Sequence, residues 1–166
     1  TYVVPTYLFF ALLTGGLLST AIAGLNPNPI PEFLIFGFIL LAVFLSVVKK
    51  RYWKDIDSQT LPSRASALGL KPEQVVTVFE RPHTEANYLT KEMGFVLARK
   101  HSKKLRFISL VLFCWLPVLL CIATWMLPYI FSGYLMFAAA FFAYTGALVE
   151  RWLFFAEAKH VVMQYY

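Results

Sequence analysis

The chain has 166 residues, 59% of them hydrophobic and 14% charged, with a net charge of +6. Globular domains carry about 25% charged residues, so this composition excludes an ordinary soluble domain and points to an integral membrane protein. Of the 15 Lys and Arg residues, 13 lie within residues 49–106, between two long apolar blocks; basic residues that flank apolar spans mark a membrane face, so no nucleic-acid partner is expected.

The first apolar span is expected over 2–25. It is uncharged throughout and exceeds the roughly 20 residues needed to cross a hydrocarbon core. Pro5 is tolerated in its first turn, and Gly15-Gly16 admit a closely packed neighbour. The run is too long for a signal-peptide core, lacks a basic leader and begins at Thr1, which reads as a segment of a longer polypeptide. NPNPIP at 26–31 breaks the helix, and a second span is expected over 32–48, with Tyr52 and Trp53 extending it into the headgroup layer.

Residues 49–106 form a basic loop with a β-prone run, VVTVF. Beyond it, 87–106 is expected to be one amphipathic helix, because Leu89, Met93, Val96 and Leu97 share a stripe opposite a basic face. The third span is expected over 107–127, kinked by Pro117, and the fourth over 129–149. Trp125, Tyr129 and Tyr134 are placed in one aromatic belt, and Tyr52, Trp53 and Trp152 in the other.

The expected fold is therefore all-α: an integral membrane bundle with four transmembrane helices in this segment. It divides into two spans in 1–48, the basic loop in 49–106, and two spans plus a C-terminal extension in 107–166. The positive-inside rule puts the loop and both ends in the cytoplasm, and the connectors at 26–31 and 127–129 on the far side.

Chemistry-bearing residues are few. Cys114 and Cys121 are seven apart in one helix, too far for a disulfide, and read as packing residues. His83, His101 and His160 all lie outside the spans, so no haem is expected in this segment, and no zinc or iron–sulfur motif is present. No charge lies at mid-membrane depth, which argues against an ion path. Glu150 and Arg151 fall at the edge of the hydrocarbon, where charges are costly and often functional; they serve either as an anchor or at a site.

The string TEANYLTKEMGFVLARKHSKKLR, with the Pro-containing span after it and GALVERWLFFAEAKH at its end, resembles the anchor subunits of dimethyl sulfoxide reductase-type molybdopterin oxidoreductases, including the cytoplasmically oriented sulfite dehydrogenase branch. The resemblance implies the C-terminal half, helices five to eight, of an eight-helix bundle. It also implies a molybdopterin catalytic subunit and an iron–sulfur subunit as partners, and electron exchange with a membrane quinone, ubiquinone or menaquinone. The bacterial inner membrane is the expected location. The family's candidate quinone-site histidine belongs to the other half and has no counterpart here.

On this reading Glu150, Arg151 and His160 lie near the quinone, and Arg81, His83, Asn87, Glu92, Arg99 and His101 form the docking surface. The chain alone is expected to catalyse nothing and to hold no metal. The rival expectations are a purely structural anchor and half of a small transporter.

Overall fold

The computed structural model describes residues 2–26, 29–58, 63–71, 73–77, 79 and 96–158. Four of its helices are long and apolar enough to cross a membrane. Helix α1 runs Val3–Ala23 and α2 runs Glu32–Ser58. A single turn, α3 (Arg64–Ala67), is N-capped by Ser63, whose hydroxyl accepts from the Ser66 amide. A short α4, Val96–Lys100, precedes α5, Ser102–Met126. A 3₁₀ turn at Tyr129–Phe131 leads into α6, Ser132–Glu157.

Three of the helices are longer than the apolar runs that define them. α2 has 27 residues, about 40 Å at 1.5 Å per residue, against a hydrocarbon core of about 30 Å. Its last turns, beyond 48, project past the apolar zone. The same holds for the first turn of α5, which starts at Ser102 instead of Phe107, and for the end of α6, which continues to Glu157. Hydrogen-bonded helix does not stop where hydrophobicity stops.

One further expectation is corrected. The amphipathic helix expected over 87–106 is interrupted at His101, which sits between α4 and α5 as the N-cap of α5; its part before Val96 lies outside the described residues. No strand forms at 75–77. Val75 and Phe79 are exposed there, and a β-prone run without a neighbouring strand has nothing to pair with.

Pro117 lies in α5, but the result is more specific than a kink. Without an amide hydrogen it cannot serve the carbonyl four residues earlier. The helix absorbs this as a π turn at Val111–Trp115, closed by the Leu116 amide donating to the Val111 carbonyl.

The four long helices form a closed ring in which α1 packs on α2 and α6, and α5 packs on α2 and α6. α2 and α6 therefore stand on one diagonal and α1 and α5 on the other. Leu13, Leu17, Leu45, Phe113, Met136, Ala139 and Ala143 fill the middle. Phe10 of α1 meets Phe113 of α5 edge-to-face across the diagonal, with ring centroids 5.1 Å apart. Small residues on α6 let its neighbours approach: a Cβ on Gly146 would lie 2.5 Å from the Phe113 amide nitrogen in the π turn. At the far end, a Cβ on Gly133 would lie 2.6 Å from the Gly24 carbonyl oxygen, so α1 and α6 touch there backbone to backbone.

Candidate functional site

The start of α1, the end of α2, the start of α5 and the end of α6 all meet at one end of the bundle, and the charges gather there. Lys49 is the first charge after the apolar run of α2, and Glu150 the first after that of α6. Both side chains are buried, 2% and 1% exposed, and they form a salt bridge across the α2–α6 diagonal. Arg151, also on α6, donates from Nε to the other Glu150 oxygen at 2.6 Å, and its Nη2 lies 2.5 Å from that oxygen. A cation on each side of one carboxylate leaves this cluster with a net charge of +1.

Aromatic rings enclose the two cations. Lys49 Nζ lies 4.0 Å from the Tyr52 ring centroid, and Tyr52 stacks on Phe154. The Arg151 guanidinium carbon lies 3.7 Å from the centroid of Tyr7 on α1. Cation–π attraction is strongest where water is excluded, as it is here.

A second cluster lies one step further out. Arg106, at the start of α5, grips Asp57 of α2 with two parallel bonds, Nη1 to Oδ2 at 2.7 Å and Nη2 to Oδ1 at 2.9 Å. Its Nε donates to Glu157 Oε1 of α6 at 2.8 Å. One guanidinium thus ties three helices together. Glu157 is 7% exposed, and its second oxygen is buried without a hydrogen-bond partner. Trp53 separates the clusters, within cation–π range of both Lys49 and Arg106. It is 6% exposed, so it belongs to the interior and not to the aromatic belt expected from the sequence. Trp125, Tyr129, Tyr134 and Trp152 are exposed.

The expected site residues separate accordingly. Glu150 and Arg151 are brought together with Lys49. Arg99 stays exposed but reaches α6: its Nε donates to the Ala156 carbonyl at 2.9 Å and its Nη2 to the Ala158 carbonyl at 3.2 Å, capping the C-terminus of α6. His101 is half-buried at the α4–α5 junction and makes no side-chain capping bond. Arg81, His83, Asn87, Glu92 and His160 lie outside the described residues.

Lys49 and Arg106 escape sequence reasoning as partners because their types read as labels of membrane sidedness, and Asp57 because it reads as an ordinary loop charge. The available signal is depth: Lys49 and Glu150 are each the first charge after an apolar span, on helices leaving the membrane on the same side.

Among the described residues, no group of three or more His, Cys, Asp or Glu side chains is arranged to hold a metal. Cys114 and Cys121 are buried thiols. The hydroxyls of Ser19, Thr14 and Thr124 bond back to their own helices at Gly16, Phe10 and Cys121.

No family model matches the chain, and no solved structure matches it. The chain is 29% identical over 164 residues to a subunit of the sulfite dehydrogenase of Allochromatium vinosum, a match covering 98% of this chain and 49% of the relative. The chain thus spans about half the length of the curated relative it matches.

Proposed function

We propose that the chain is part of the membrane anchor of a sulfite dehydrogenase-like oxidoreductase, and that its charged end faces the partner subunits. The similarity to a sulfite dehydrogenase subunit along nearly the whole chain is the observation that carries this reading. The gathering of the charges at one end of an otherwise apolar bundle supports it.

In this reading an iron–sulfur subunit and a molybdopterin subunit dock on the side of 49–106, in the cytoplasm of a bacterium. Electrons pass between the iron–sulfur subunit and a membrane quinone near the charged end. A quinone accepts hydrogen bonds at its two carbonyl oxygens. Tyr52, half-buried between Lys49 and Phe154, offers a neutral donor and an aromatic wall at that depth. Glu150 holds Lys49 against the Tyr52 ring and Arg151 beside Phe154. The redox chemistry belongs to the quinone; the chain supplies position, a dry wall and hydrogen bonds.

A purely structural anchor is the second reading, favoured by one observation: the Glu150 carboxylate is already shared between Lys49 and Arg151 within the chain.

The test is to extract the protein gently from membranes and identify what accompanies it. Molybdopterin and iron–sulfur subunits are expected, and purification without any redox subunit would refute the proposal. With the complex in hand, Tyr52→Phe separates the readings: quinone-coupled turnover falls with assembly intact if the chain contacts quinone, and is unchanged if the chain only anchors.

A further inference from the structure

A groove of about 480 Å³ opens on the outer surface between α1 and α6, lined by Thr14, Gly15, Leu18, Phe137, Ala140, Phe141 and Tyr144. It lies within the apolar length of both helices, at the depth of the acyl chains. Gly15 leaves part of it open: a Cβ there would meet nothing within 4 Å.

The groove has a charged end. Tyr7 lies seven residues from Thr14 on α1, and Arg151 seven from Tyr144 on α6. Seven residues are nearly two turns, so each pair shares a face about 10 Å apart along its helix. Tyr7 and Arg151 are in contact and close the seam where the bundle leaves the hydrocarbon. Arg151 spends Nε and Nη2 on Glu150, while Nη1 is covered and has no acceptor. A covered donor without a partner is a standing cost, and an acceptor reaches it when the Tyr7 ring lying on the guanidinium turns aside. The Lys49–Glu150–Arg151 cluster keeps its net charge of +1 beside it.

We propose that this seam is a binding site for an anionic phospholipid, with one acyl chain in the α1–α6 groove and the phosphodiester on Arg151. The occupant must be apolar for the length of the groove and anionic at the membrane border. A phosphodiester supplies one negative charge and acceptor oxygens suited to a guanidinium, at the depth where basic residues attract anionic lipids. A quinone headgroup accepts hydrogen bonds but brings no negative charge to the guanidinium.

The experiment uses the protein extracted with its native partners in mild detergent, washed with excess phosphatidylcholine, and analysed for bound lipid and quinone by mass spectrometry. Wild type is expected to retain phosphatidylglycerol or cardiolipin in near-stoichiometric amount. Gly15→Leu, which fills the groove, and Arg151→Gln, which removes the cation, should each lower retention roughly tenfold, equivalent to about 1.4 kcal/mol. Gly15→Leu should match the melting temperature of wild type stripped of lipid, which separates loss of lipid from loss of fold. Unchanged anionic-lipid retention in Gly15→Leu overturns the proposal. So does loss of quinone in place of phospholipid, or loss of a subunit with lipid content unaltered, which would put a transmembrane helix in the groove.

Discussion

Lys49 and Glu150 form a buried ion pair across the diagonal of the bundle, between two helices whose backbones make little contact with each other. Breaking such a pair from one side leaves an uncompensated buried charge, which costs about 3–5 kcal/mol. The two sides are not equivalent here. Glu150→Gln strands both Lys49 and Arg151, whereas Lys49→Met leaves Glu150 its bond to Arg151. Glu150→Gln is therefore expected to lower thermal stability in detergent clearly more than Lys49→Met. Equal losses would show that Arg151 does not share the carboxylate.

Arg106 is expected to resist replacement by lysine. Its guanidinium serves Asp57 with two nitrogens and Glu157 with the third, and an ammonium cannot reproduce that fork. Arg106→Lys should cost about 1–2 kcal/mol, and Arg106→Ala more, because Glu157 would then be buried with neither oxygen paired. Chemical denaturation of the two variants under one set of conditions would rank them.

Gly146→Ala is expected to destabilise by about 1–3 kcal/mol through overpacking, since its Cβ would meet backbone in the π turn. Gly37→Ala, on α2 where a Cβ meets nothing, is the control and should be neutral or slightly stabilising through helix propensity. A thermal-shift comparison decides it.

Arg99→Ala removes both capping bonds at the end of α6. The expected cost is about 0.5–2 kcal/mol, as for other helix caps. Hydrogen exchange should rise in the last turn of α6 and not at its start.

Sidedness is testable with two single cysteines. Ser58→Cys, exposed at the end of α2, should react with an impermeant thiol reagent only from the cytoplasm. Asn26→Cys, exposed after α1, should react only from the opposite side. Cys114 and Cys121 are buried and give little background. The reverse pattern would overturn the cytoplasmic placement of residues 49–106.

The four spans are legible in the sequence because a run of about 20 uncharged residues has few other uses. Pro117 announces an irregularity in α5, though not its π form, which depends on how the neighbouring turn accommodates the missing bond. Lys49, Trp53 and Arg106 are not legible as interior residues. Their types are those of a membrane border, and only the meeting of four helix ends buries them. Glu150 and Arg151 stand out by depth, but their mutual bond and the Lys49 partner depend on which helices stand on the diagonal. Arg99 is a surface residue, as its type suggests, but its bonds to a helix C-terminus 57 residues away in sequence are invisible to local pattern.

The contact of Gly24 with Gly133 sets the far end apart from the charged end. There, α1 and α6 are joined by neutral backbone surfaces, a junction indifferent to salt and to protonation. At the other end the helices are held by ions. The bundle is thus built like a clothes-peg, with its spring at the glycines and its jaws at the charges. A partner that competes for Arg106 would be expected to part the helices at the jaws while leaving the spring closed.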